Sequence, residues 1–148
     1  MRIRAATTAM FGLLLVLAAC SSSTEPRKEL ELSAVPTSIM LDGQPVELMV
    51  YAWRDFMPIS PPDGKPLIVV VSLPDSLPGV SIDHLWVLFG EEVWETAVEH
   101  RSETNEWVAR GGPKWGPGVS VDVVAQLHDQ NGNQFRVRAD SVQIAHTW

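Results

Sequence analysis

The chain has a single cysteine, Cys20, among its 148 residues. One thiol has no partner within the chain, so an intramolecular disulfide is excluded. In an oxidising compartment such a thiol would stay reactive unless it carries a modification. Cys20 follows directly on the apolar stretch MFGLLLVLAA, residues 10–19, so its role depends on what that stretch does.

An apolar run long enough to cross a membrane is also absent. A spanning helix needs roughly 20 apolar residues, and the run at residues 10–19 is shorter. The short basic segment Met1–Arg4 precedes it, and small residues close it. This order is typical of an export signal.

Basic residues are scarce: 11 Lys and Arg stand against 18 Asp and Glu. Removal of residues 1–19 would take away Arg2 and Arg4 and leave a net charge of about −9. Such a surface argues against binding of nucleic acid or anionic headgroups. It would suit a basic partner.

Catalytic and metal-binding motifs are missing as well. The chain has no HExxH and no GxSxG, and Lys114 of GGPKWGPG is not followed by the Ser or Thr of a P-loop. Four histidines are scattered, and four carboxylates alternate with apolar residues as on a solvated strand: His84, His100, His128, His146 and Glu91, Glu92, Glu95, Glu99. We therefore expect no enzyme activity, no catalytic residue, no cofactor and no metal.

The sequence Leu17-Ala18-Ala19-Cys20 resembles the lipobox of bacterial lipoproteins. In that family the signal is cut before the cysteine, whose sulfur carries a diacylglycerol and whose amine is acylated. The resemblance implies lipidation at Cys20 and anchoring in the cell envelope, where several acyl chains hold a protein stably. The residue after Cys20 is Ser21 and not an aspartate, which in this family favours the outer membrane if the organism has two membranes. The alternative is an ordinary signal peptide with a chance cysteine.

These features divide the chain into three parts. Residues 1–19 are the expected lipoprotein signal peptide, and residues 20–29 are a lipidated flexible tether, polar and with nothing to bury. Such a segment extends over roughly 30 Å at about 3.5 Å per residue. Residues 30–148 form the expected folded domain.

Short apolar runs separated by Pro, Gly and Asp predict an all-β domain. The predicted strands are 30–35, 46–53, 67–73, 82–89, 93–98, 106–110, 119–128 and 134–139, with 142–145 as an extension. Residues 91–101 also fit a helical spacing, but Gly90 can turn the preceding strand back on itself, which favours a strand. Both LIVVVSL and HLWVLF are apolar on both faces, so we expect either exposed apolar surface or cover from a loop such as FMPISPPDGKP.

The strand pattern resembles the immunoglobulin-like and fibronectin type III-like domains of bacterial surface proteins, without the Cys pair of antibody domains. The resemblance implies a single two-sheet antiparallel sandwich that acts as a binding or accessory module for an envelope protein. An acidic inhibitor or chaperone-like lipoprotein that captures a basic envelope protein is the alternative. A third is an enzyme or metal carrier whose site assembles in space.

The register of the last hairpin follows from its apolar residues. A three-residue loop, 130–132 with Gly132 left-handed, places the apolar residues of both strands on one face, with the exception of Val124. The predicted pairs are Leu127–Phe135, Ala125–Val137 and Val123–Ala139, and on the other face His128–Gln134, Gln126–Arg136 and Val124–Arg138. Val142 and Ile144 stand at even positions, whereas the apolar residues before them in the strand stand at odd ones. A bulge near Asp140-Ser141 would return them to the same face, so we predict one there.

The loop GGPKWGPG is the unusual stretch of the domain. Two prolines stiffen it around Trp115, so we interpret Trp115, with Lys114 and Pro113, as an exposed contact site. The alternative is that Trp115 caps the core. Met40, Met49 and Met57 suggest copper by their thioethers, but Met49 lies in the strand pattern VELMVYAW and is expected to pack in the core.

Overall fold

A computed structural model describes residues 25–75 and 77–148. The described chain is all-β, as the sequence predicts, with the addition of one helix that was not predicted. The elements are α1 Glu25–Ser33, β1 Ile39–Leu41, β2 Gln44–Val46, β3 Met49–Asp55, β4 Leu67–Ser72, β5 Ser81–Phe89, β6 Glu92–Ala97, β7 Glu99–Arg101, β8 Glu106–Gly112, β9 Ser120–His128 and β10 Gln134–Thr147. The predicted strand 46–53 is thus interrupted before Met49. Within the described residues, no helix has the length and apolar character to cross a membrane.

Eight strands form one continuous sheet, in the order β6-β5-β9-β10-β3-β4-β8-β7, and β1 and β2 form a separate hairpin. The first half of β10 pairs with β9, and its last four residues pair with β3. The β10–β3 pair is parallel, which corrects the expectation of a purely antiparallel arrangement. Because β10 pairs with β9 on one side and with β3 on the other, the eight strands are not separated into two sheets.

The two edges of the sheet are adjacent in sequence, since β6 leads into β7 through Val98 alone. This connection brings the edges together, and β6 also contacts β8. The sheet is therefore rolled until it is nearly barrel-shaped. Such closure leaves little strand edge open for pairing with other chains.

The interior is filled by the inward-facing side chains of both halves. Strands β4 and β9 contribute the most completely buried valines, at alternate positions as their pleat requires. Leu41 and Val46, from the β1–β2 hairpin, join this core at one end of the domain. A continuous apolar core in a chain of this length explains how the domain folds without a disulfide.

Helix α1 corrects the predicted strand at residues 30–35. Pro26 in the first turn and the good helix formers that follow favour a helix, which ends before Pro36. In a strand Leu30 and Leu32 would share a face, whereas a helix turns them about 200° apart. Leu32 is buried and Leu30 is exposed, as a helix requires. The helix also occupies residues 25–29 of the predicted tether.

The outer face of β5 and β9 is covered by this helix. Leu32 packs on Trp86, Leu88 and Val124, which form a second apolar cluster outside the main core. The apolar surface expected on HLWVLF is therefore covered, but by α1 and not by the loop 56–66. Since about 25 cal/mol are gained per Å² of buried apolar surface, each such contact is worth about 1–3 kcal/mol.

The predicted hairpin register is confirmed for all six pairs. Asp129 N donates to Asn133 O at 3.1 Å and closes the three-residue loop, in which Gly132 has a φ of 80°. The predicted bulge lies between Ala139 and Val142, where Ser141 has a φ of 55°. The apolar face therefore fixes the register.

Gly132→Val is expected to destabilise the domain by about 1 kcal/mol or more, because a β-branched residue disfavours positive φ. The space for a side chain is open, with no atom within 4 Å of a Cβ at this position. The loss is therefore one of backbone conformation and not of a clash. Urea denaturation measures it, and Gly132→Asn, which tolerates this φ, should cost less. Equal losses for the two variants would contradict the argument.

Candidate interaction surfaces

Trp115 is buried, so the interpretation of this residue as an exposed contact site is wrong. Its side chain is 9% exposed and belongs to the main core. The ring lies 5.5 Å from that of Phe89, and its Nε1 donates to Glu92 Oε2 at 3.2 Å. The alternative interpretation, that Trp115 caps the core, agrees with the structure. The indole of Trp115 is apolar except for its Nε1–H, so it can pack in the core while this one polar group keeps a hydrogen-bond partner at the edge.

The two neighbours of Trp115 face outward to different degrees. Pro113 is half-buried, and Lys114 is exposed with its Nζ 2.5 Å from Asp63 Oδ2. The ion pair joins the Trp115 loop to the loop that follows β3. Lys114 is therefore engaged within the domain.

Arg54 is the buried charge that sequence reasoning missed. Its side chain is 3% exposed, and the guanidinium donates to four backbone carbonyls: Lys65 O at 3.0 Å, Lys114 O at 2.9 Å, Gly116 O at 2.5 Å and Asp63 O. It thereby links the two loops at this end of the domain. Its parity with the buried Ala52 on β3 was the signal that could have placed it inside.

Residues 56–66 form a rigid loop after β3. We call this loop, together with Trp148, the tip. Ser60 N donates to Met57 O at 2.7 Å and Gly64 N to Pro61 O at 2.8 Å, so two turns follow one another. Phe56 N donates to Thr147 O at 2.9 Å, and Arg54 binds the far side of the loop. The loop therefore has little freedom.

The tip presents apolar side chains to solvent. Ile59 is 87% exposed, Trp148 is 79% exposed and Met57 is 45% exposed. The Trp148 ring lies 5.9 Å from the ring of Phe56. Apolar groups held outward by a hydrogen-bonded loop make the tip a candidate interaction surface.

Two aspartates hold the tip, and both have a pKa below the ordinary value of 3.8. A hydrogen bond from Lys65, then one from Met57 N, lowers the pKa of Asp55; a hydrogen bond from Lys114 lowers that of Asp63. A depressed pKa means that the contribution to stability is present above the unfolded value of about 4 and is lost as the pH falls through the folded value.

The tip is therefore expected to loosen at acid pH, below about pH 4. A carboxyl-carbon NMR titration should place the midpoints of Asp55 and Asp63 below the ordinary aspartate pKa of 3.8. The variants Asp55→Asn and Asp63→Asn should each remove part of the acid-dependent change in the amide signals of the tip. Midpoints at or above that ordinary pKa would contradict the ion-pair assignment.

Strand β3 carries a second exposed apolar surface, which we call the β3 face. Met49, Tyr51 and Trp53 alternate with the buried residues of the strand and point outward. Tyr51 is 55% exposed, and its ring lies 5.1 Å from that of Trp53 with 31° between the planes. Ile68 and Val70 of β4 lie beside them in the register. The expectation that Met49 packs in the core is therefore wrong.

The four histidines make separate contacts. Nε2 of His84 lies 2.9 Å from Glu95, Nε2 of His128 lies 2.9 Å from Asp83, His100 stacks on Trp107 at 4.7 Å and His146 lies 5.1 Å from Trp148. Within residues 25–75 and 77–148, no three His, Cys, Asp or Glu residues are grouped so that they could hold a metal ion. Met49 and Met57 are separated by the length of β3, roughly 20 Å at 3.3 Å per residue, and cannot share an ion.

The acidic turn after β5 lines a cleft of about 400 Å³ together with Lys28. Two of its three carboxylates are engaged: Glu92 accepts from Trp115, and Glu95 binds both Lys28 and His84. Charges so paired are a poor basis for acid–base chemistry, which needs two carboxylates in different environments.

Cys20 lies outside the described residues, so its lipidation stays a prediction. Comparison with protein-family models, with curated proteins and with solved structures gives no significant match to this chain.

Proposed function

We propose that this chain is an envelope lipoprotein, anchored through Cys20, whose domain acts as a non-catalytic binding or accessory module for an envelope protein. The lipobox-like Leu17–Cys20 supports the location. The exposed apolar surface of the β3 face is the observation that best supports a binding role. It lies on an inner strand of the sheet and carries two adjacent aromatic rings, and aromatic residues are enriched at contact surfaces.

We also propose that the domain is an immunoglobulin-like sandwich whose two sheets are joined at β10. The strand order supports this, because it divides into β6-β5-β9-β10 and β3-β4-β8-β7. The two halves pack their inner faces on one core, as the layers of a sandwich do. In this description β10 passes from one sheet to the other after Gln143, just beyond its bulge, as strands do at the corners of such folds.

The β3 face favours this function over the other two considered. A capture protein for a basic partner needs free acidic side chains, and two carboxylates of the acidic turn are already bonded within the domain. An enzyme or metal carrier needs convergent polar groups, whereas His84 and His128 each contact a different carboxylate. The exposed side chains of the β3 face have no such engagement with charged groups.

The anchor is tested by intact-mass analysis of the membrane fraction. We expect a chain that begins at Cys20 and carries the added mass of its acyl groups, and Cys20→Ala should block this processing. A soluble mature protein with an unmodified thiol would refute the location.

The binding role is tested by crosslinking in intact membranes, with a photoreactive residue placed at Tyr51. We expect a discrete adduct with an envelope protein, and we expect Trp53→Ser to reduce its yield at least tenfold, about 1.4 kcal/mol. A photoreactive residue at Met40 serves as the control because it is similarly exposed on a different element. Equal adducts from both positions would show that the β3 face has no special role.

A further inference from the structure

The tip differs from the rest of this acidic domain in its charge. Asp55 is paired with Lys65 at 2.7 Å and Asp63 with Lys114 at 2.5 Å, so the tip's exposed charges cancel. Only Arg54 adds to them, and it is buried. The domain thus presents Met57, Ile59 and Trp148 within a nearly neutral surface.

The tip and the start of helix α1 lie at the same end of the domain. Lys28 shares a cleft with the acidic turn, whose Glu92 binds Trp115. Trp115 adjoins Lys114, and Lys114 binds Asp63 of the tip. This chain of contacts runs across one end, where β3 ends, β4 begins and β5 turns into β6.

The distance between this end and residue 20 is short. Because α1 begins at Glu25, only five residue steps separate it from Cys20. At about 3.5 Å per residue, these steps span at most about 18 Å, against about 30 Å for the tether that the sequence suggested. If Cys20 carries the lipid, the end of the domain that holds the tip lies close to the bilayer.

We propose that the tip docks on the lipid bilayer, with Ile59, Met57 and Trp148 in the interfacial region. This inference rests on the proposed lipid anchor. Aliphatic side chains gain from burial in the acyl boundary, and tryptophan favours the headgroup level. The neutral tip avoids the repulsion that the acidic remainder would meet, and the rigid loop inserts without an ordering cost. The β3 face then remains free for a protein partner.

A single fluorophore tests this directly, because a lipidated Cys20 leaves no thiol in the mature chain. The full-length lipidated variants Ile59→Cys and Met40→Cys are labelled with an environment-sensitive dye and reconstituted in phosphatidylcholine vesicles. Met40 is the matched control, since it is 65% exposed but lies on the β1–β2 hairpin at the opposite end. We expect a blue shift and quenching by brominated lipid at position 59 and neither at position 40.

The outcomes separate the docking from the anchor. A lipidated protein whose label reports water at both positions overturns the docking and leaves the anchor standing. An unmodified Cys20 in the mass spectrum overturns the anchor; the labelled Ile59→Cys protein with Cys20→Ala is then mixed with vesicles, and a shift supports the docking while its absence overturns it. A shift that grows with protein concentration without vesicles identifies a second copy as the occupant, which also overturns the proposal.

Discussion

Arg54→Ala is expected to lower the free energy of unfolding by about 3–5 kcal/mol, because four backbone carbonyls lose a charged donor and the buried side chain leaves a gap. The guanidinium serves the carbonyls of Asp63, Lys65, Lys114 and Gly116, which belong to two different loops. No nearby side chain offers five N–H groups in one plane. Both loops should therefore lose their position together. Urea denaturation of purified protein measures the loss.

Two further variants make this result interpretable. Arg54→Lys keeps the charge but offers at most three donors from a single nitrogen, so we expect an intermediate loss. Arg110→Ala is the control, since Arg110 is exposed on β8 and its removal should change stability by no more than about 0.5 kcal/mol. A loss for Arg54→Ala no greater than that for Arg110→Ala would show that the four hydrogen bonds contribute little. If Arg54→Ala does not fold, the stability of Arg54→Lys is compared with that of Arg110→Ala instead.

Trp115→Ala is expected to cost about 3–5 kcal/mol through the cavity that it leaves in the core. The indole closes the interior beside Phe89 and also binds Glu92. Both contacts are lost together, and no neighbouring side chain is placed to fill a space of this size. Thermal and urea unfolding should report the same loss, since both follow the core.

Trp148→Ala is the matched control for this prediction, because Trp148 is exposed on the same end of the domain. We expect its removal to change stability by no more than about 0.5 kcal/mol. A Trp115→Ala variant as stable as Trp148→Ala would return Trp115 to the role of a contact residue. The pair thus separates a core tryptophan from a surface tryptophan within one end of one domain.

The last hairpin shows how far a local pattern reaches. Apart from Val124, its apolar residues alternate from Val119 to Leu127 and from Phe135 to Ala139, and a slip of one residue would turn them to solvent. The loop, the register and the bulge could therefore be predicted from residues 119–145 alone, and all are confirmed. The preference for a strand at residues 92–97 is also confirmed.

Helix α1 shows where such a pattern fails. Leu30 and Leu32 alternate as in a strand, yet a nine-residue segment with Pro26 at its start and polar helix formers folds as a helix once Leu32 finds Trp86 and Val124. Short helices are stabilised mainly by tertiary packing. Propensity alone could not decide this segment, because the surface that it covers lies more than fifty residues away.

The sequence by itself determined the all-β class, most strand positions and the register of the last hairpin, since these depend on alternation between neighbours. Only the tertiary structure decided the burial of Trp115, the interior position of Arg54 and the two exposed surfaces. Burial depends on what the fold brings from distant segments: the carbonyls that satisfy Arg54 lie 9 to 62 residues away in the chain. A glycine- and proline-rich loop around a tryptophan has the same local pattern whether the ring points into the core or into water.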